Sequence, residues 1–123
     1  MVYIYLFFGG AIGSIVRYYV SVVGNGGEYP LGTLAVNLLG SFLLGYLLTI
    51  FPKYKKIDPA IIKGISTGAI GSFTTFSALS VELANLMLER DYLMLFSYLF
   101  GSMIGGIVFA YLGYRLASIV GGR

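Results

Sequence analysis

The residues most able to do chemistry in this chain crowd into one stretch, Gly71-Ser72-Phe73-Thr74-Thr75-Phe76-Ser77, in the middle of an apolar segment running from about 60 to 88. Ser66, Thr67 and Ser80 add hydroxyls around it, and Gly64 and Gly68 precede it. Each hydroxyl taken singly can bond back to a carbonyl one turn earlier. Collected beside Gly71, they predict a helix broken at membrane depth. Lipid offers no hydrogen-bond partners, so backbone groups freed by such a break must find others. Released carbonyls suit a hard monovalent cation, as they do in discontinuous helices near a bilayer midplane.

Three further groups are costly in lipid. Asn37 lies about seven residues into its apolar segment, roughly 10 Å deep at ~1.5 Å per residue, and Thr33 shares its helix face four residues earlier. Its amide has two readings, glue between helices or a pore-facing donor to an anion. Arg17 interrupts the first apolar segment. An intramembrane arginine either snorkels to an interface or lines water, where it forms a cationic vestibule. Glu82 lies towards the same membrane face and is a possible partner. Phe73 and Phe76 flank the break. Such rings pack against lipid or core, or present their positive edges to a small anion that has lost its water.

Composition sets the medium in which these groups act. Of 123 residues, 58% are hydrophobic and 11% charged, against roughly 25% charged in soluble domains. That indicates an integral membrane protein folded as one domain. The chain holds no cysteine and no histidine, which removes thiolate chemistry and the usual proton relay. With no paired carboxylates inside a segment, no catalytic constellation is present and an enzyme is not expected. The first apolar run lacks a basic leader and a small-residue cleavage pattern, so it reads as a span and not as a cleavable signal.

Four apolar segments, about 2–23, 31–51, 60–88 and 92–114, each reach the ~20 residues a bilayer core requires. They predict an all-α integral membrane fold, one domain over residues 1–123, of four transmembrane helices with the third broken near mid-membrane. A Gly/Asn/Pro-rich turn, Gly24 to Pro30, joins the first two segments, a proline-bounded basic loop the next two, and Glu89-Arg90-Asp91 the last two. Lys53, Lys55, Lys56, Lys63, Arg115 and Arg123 fall on one side of that topology and Arg90 alone on the other. The bias places both termini in the cytoplasm, in the cell (inner) membrane. Gly9, Gly10, Gly13, Gly40, Gly45, Gly101, Gly105 and Gly106 predict close helix packing.

Three runs together resemble the Fluc/CrcB family of fluoride channels: Gly9-Gly10-Ala11-Ile12-Gly13-Ser14-Ile15-Val16-Arg17-Tyr18, Gly32-Thr33-Leu34-Ala35-Val36-Asn37-Leu38-Leu39-Gly40-Ser41-Phe42-Leu43-Leu44-Gly45, and the 71–77 stretch. They cover three of the four segments in family order. The resemblance implies an antiparallel dimer with two fluoride pores at the subunit interface, passive efflux that lowers cytoplasmic fluoride, and a structural, untransported sodium ion (Na+) at the dimer centre. By position, Gly71 and Thr74 would offer sodium-binding carbonyls, Asn37 the pore amide, and Phe76 the first phenylalanine of a ring pair. Thr75, Tyr98 and Ser102, with Thr33, would line the polar path, and Arg17 the vestibule. One position departs from the family pattern: Leu79 stands where the second phenylalanine is usual. The basic bias also suits a subunit of fixed orientation, which pairs with a homologous inverted partner more naturally than with itself. Three alternatives are a self-paired dimer, a non-conducting partner subunit, and a small multidrug transporter. The last needs a membrane-embedded carboxylate, for which Glu82 is the one acid well inside a span.

Overall fold

The structure is a computed structural model that describes residues 1–24 and 30–121. Most of the turn predicted between the first two segments, and Arg123, lie outside the described residues. The described residues are helical with no strand. Three helices are long and apolar enough to cross a membrane. They are α1 (Val2–Gly24), α2 (Leu31–Ile50, continued by a 3-10 turn over Phe51–Lys53) and the last helix, Tyr92–Gly121. That last helix outruns its expected end at 114. A single exposed Arg115 does not stop a helix, and Leu116 to Val120 contain no breaker.

The remaining apolar segment is built in pieces. Asp58 accepts the amide of Ala60 and starts α3 (Pro59–Lys63), with Pro59 in the first helical position, where its missing N–H costs nothing. A π-helical run over Gly64–Ile70 follows, then one α-turn, α4 (Gly71–Phe73). The chain then leaves helical geometry for two residues, Thr74 (φ −80°, ψ 156°) and Thr75 (φ −147°, ψ 120°). It resumes as α5 (Phe76–Leu88) before the last helix, α6. The break expected from the Gly71–Ser77 composition therefore falls at Thr74–Thr75. The π-helical run was not foreseen; π geometry is uncommon and concentrates at functional sites.

Small residues set the packing. A Cβ on Gly45 would collide with the carbonyl of Ala110, and one on Gly113 with that of Phe42, so α2 and α6 run parallel at backbone contact. In the same way Gly9 and Gly13 of α1 seat against the backbone of Gly64 and Ala69. Gly10 and Gly101, expected to do likewise, have open space beside them. Leu79, Leu86, Leu95 and Tyr98 form the central apolar cluster, with Leu34, Leu83 and Met94 against it. Much of the outer surface is apolar, as a lipid-facing surface requires.

Candidate functional site: the polar groove at the helix break

Inside an α-helix each amide bonds the carbonyl four residues earlier, so a break must redirect its amides. Thr75 would bond Gly71 in a continuous helix; here its N–H donates to Asn37 Oδ1 at 2.7 Å. Asn37 Nδ2 returns a bond to the Thr75 carbonyl at 3.0 Å. Ala78 would bond Thr74; its N–H donates instead to Thr75 Oγ1 at 3.1 Å, which caps α5. The carbonyls of Gly71 and Thr74 thereby lose their helical donors. Gly71 retains a long bond from Thr74 Oγ1, 3.3 Å. Two hard oxygens at one break fit the donor chemistry of a sodium ion, which prefers carbonyl and water ligands to nitrogen or sulfur.

A groove of about 300 Å³ opens beside the break, lined by Asn37, Gly40, Ser41, Gly71, Thr74, Thr75, Phe76 and Leu79 among others. It gathers five of the sequence-predicted residues: Asn37, Gly71, Thr74, Thr75 and Phe76. Phe76 is 80% exposed, with its ring free to meet whatever occupies the groove. Leu79 also touches the groove while anchoring the central cluster. Ser41 was missed; its Oγ donates to the Asn37 carbonyl at 2.8 Å, one turn back along α2.

Thr33 and Tyr98 converge elsewhere. Both are fully buried, and both bind Glu82: Thr33 Oγ1 donates to one carboxylate oxygen at 2.7 Å and the Tyr98 hydroxyl to the other at 2.6 Å. Charge-assisted bonds this short are among the stronger ones available to a side chain. Glu82, considered from sequence as a partner for Arg17, is held by these hydroxyls. Arg17 is half-exposed on α1, and its Nε is buried without a hydrogen-bond partner, as is the Oγ of Ser102 on α6. Neither Arg17 nor Ser102 lines the groove.

Among the described residues, apolar spanning helices beside a polar groove at an interrupted helix are the arrangement found in ion-handling membrane proteins. Residues 4–114 match the family model described as CrcB-like protein, Camphor Resistance (CrcB), and the chain belongs to that family. It is 41% identical over 118 residues to the Fluoride-specific ion channel FluC 2 of Staphylococcus saprophyticus, covering 96% of this chain and 98% of the relative. The protein of the same name from Listeria innocua is 38% identical over 96% of this chain and 92% of its own. Fluoride-specific ion channel FluC 1 of Staphylococcus aureus (strain NCTC 8325) is 36% identical over 94% of this chain and 96% of its own.

Proposed function

We propose that this chain is a subunit of a fluoride-selective passive channel that lowers cytoplasmic fluoride by efflux. The observation that carries the reading is the groove at the break, in a chain whose relatives are named fluoride-specific channels. Fluoride is small and strongly hydrated, so a selective path must replace its water. The groove sets the exposed Phe76 ring edge, with its positive aromatic hydrogens, beside the polar Asn37–Thr75 pair for that purpose. In this reading the broken segment completes a four-span subunit with both termini in the cytoplasm. Two subunits pack antiparallel with a pore along each side of their interface, and a structural sodium ion rests on the carbonyls of Gly71 and Thr74. Thr33, Tyr98 and Ser102 extend the polar path, and Arg17 supplies cationic attraction at its mouth.

Fluoride release from potassium fluoride-loaded liposomes, read with a fluoride electrode after valinomycin addition, tests the reading. Release above protein-free vesicles is expected, with little chloride release, and weaker when sodium is omitted throughout. Release no faster than from empty vesicles would sink it.

A second form of the same reading has its own observation. Leu79 turns into the apolar cluster while touching the groove that Phe76 enters, so this subunit contributes one aromatic edge there and not two. A homologous inverted subunit would supply the missing ring, and this chain would then conduct only, or chiefly, in that pairing. The multidrug-transporter alternative loses support, because both oxygens of Glu82 are engaged by Thr33 and Tyr98.

A further inference from the structure

We propose that Asn37 is a positioning residue for the break: its neutral amide holds Thr74–Thr75 out of helical register and keeps the Gly71 carbonyl released, and its effect on permeation passes through Thr75 and Phe76.

The geometry is that of two paired residues in a narrow antiparallel bridge. One group of Asn37 accepts from the Thr75 N–H and another donates to the Thr75 carbonyl, at 2.7 and 3.0 Å. Residues that exchange both bonds in this way lock each other's backbone in extended geometry. Here one partner is a side chain on α2, 38 positions away in sequence. The backbone at Thr75 is extended, as such a pair requires. Without the clamp, the Thr75 amide has an obvious alternative acceptor, the Gly71 carbonyl of its own helix. Closing that bond would extend α4 through the break, abolish the Thr75 cap on Ala78 and swing Phe76 around the helix axis. The clamp thus decides between a broken and a continuous helix. It also uses one amide hydrogen and one carbonyl lone pair of Asn37, which leaves that side chain less free to serve as an anion ligand. Ser41 Oγ, bonded to the Asn37 carbonyl, does not compete for the amide.

The chemistry required is one donor and one acceptor on a planar group. A neutral carboxylic acid supplies both; a carboxylate supplies acceptors only and repels the Thr75 carbonyl. Asn37→Asp should therefore behave as a protonation switch, and Asn37→Leu as a permanent loss. No residue lining the groove titrates between pH 5 and 8. Along α2, Glu82 and Tyr98 are reached through Thr33, one turn before Asn37, and Arg17 is the cation of the adjoining helix α1.

The permeation half of this inference rests on the fluoride-channel reading; the half that concerns the break does not. The test is hydrogen–deuterium exchange of the 70–79 backbone in the full-length protein, in fluoride-free buffer, beside fluoride efflux from liposomes across pH 5.5–8. Thr49→Ala, far from the groove and bonded only one turn back to Gly45, is the control. In Asn37→Leu, exchange at Thr75 and Ala78 should change about tenfold, the equivalent of one hydrogen bond, slowing where the helix closes onto the Gly71 and Thr74 carbonyls and speeding where the freed amides stay open, and efflux should fall. In Asn37→Asp both defects should be present at pH 8 and shrink together on acidification, while wild type and control keep a flat ratio. If efflux falls but exchange without fluoride is unchanged, Asn37 acts on the anion directly and the proposal is overturned. Unchanged exchange and unchanged efflux overturn it as well. Should wild type carry no fluoride, the exchange data alone still decide the clamp, so the two readings fail separately. Should the leucine variant not fold, the pH-matched aspartate data decide.

Discussion

Glu82 is the residue whose partners were least visible beforehand. Its carboxylate gathers a threonine from α2 and a tyrosine from α6, tying three helices at one point. Removing one donor, with Tyr98→Phe, takes away one of the charge-assisted bonds that reach Glu82 from a fully buried side chain. The expected loss is about 1–2 kcal/mol of stability. Thermal unfolding in detergent of Tyr98→Phe, Glu82→Gln and the double variant measures it as a cycle, and strictly additive effects would dissolve the claimed coupling. Thr75→Ala should cost about 1 kcal/mol through loss of the α5 cap, with Thr75→Ser close to wild type. From the sequence, Asn37, Thr33 and Glu82 were each visible as polar groups needing partners. Which partner each finds was not visible, because Thr75 lies 38 residues from Asn37 and Glu82 lies 49 from Thr33. Residue type states a need; only the fold brings together the groups that meet it.

At the scale of elements, legibility follows the same division. The break was readable because glycine and hydroxyl residues accumulate where a spanning helix would otherwise be aliphatic. The π-helical run over Gly64–Ile70 was not, since no residue type marks i→i+5 bonding and the α1 backbone that lies against it is distant in sequence. The glycines divide likewise. Gly101 and Gly105 share one motif, yet Gly105 meets the Leu38 side chain and Gly101 meets nothing. Packing against a neighbouring helix, not spacing, separates them. Gly45→Ala should therefore force α2 from α6 and lower the melting temperature, by an overpacking cost of about 1–3 kcal/mol, whereas Gly101→Ala should be neutral or slightly stabilising. Circular dichroism melts in one detergent compare the pair, and equal effects would refute the contact assignment. The α5–α6 corner offers an opposite change. Arg90 adopts φ 58° and donates to Met87, while the Asp91 N–H reaches back to Leu86, a helix stop that favours glycine. Arg90→Gly should raise stability by about 1 kcal/mol, and a lower melting temperature would show that the arginine side chain contributes more than its backbone costs.

For the whole molecule, the question is which way the chain faces. Lys53 approaches Gly121 at the end of α6, and Tyr5 of α1 approaches Gly64, so one end of the bundle gathers Lys53, Lys55, Lys56, Lys63 and Arg115. The other end, where Gly24 meets Gly32 and α5 turns into α6, carries Arg90. Insertion machinery weighs such differences in lysine and arginine near span ends. A chain that must pair with an inverted copy of itself gains from having no such difference, whereas a chain with a dedicated partner is free to have one. The absence of native cysteine makes the outcome directly measurable. A single cysteine at exposed Tyr54, or at exposed Glu89, is the sole thiol in its variant. In intact cells a membrane-impermeant maleimide should label Glu89→Cys and leave Tyr54→Cys unlabelled until the membrane is opened. Equal labelling of both variants would mean dual insertion, the outcome that a self-paired dimer requires.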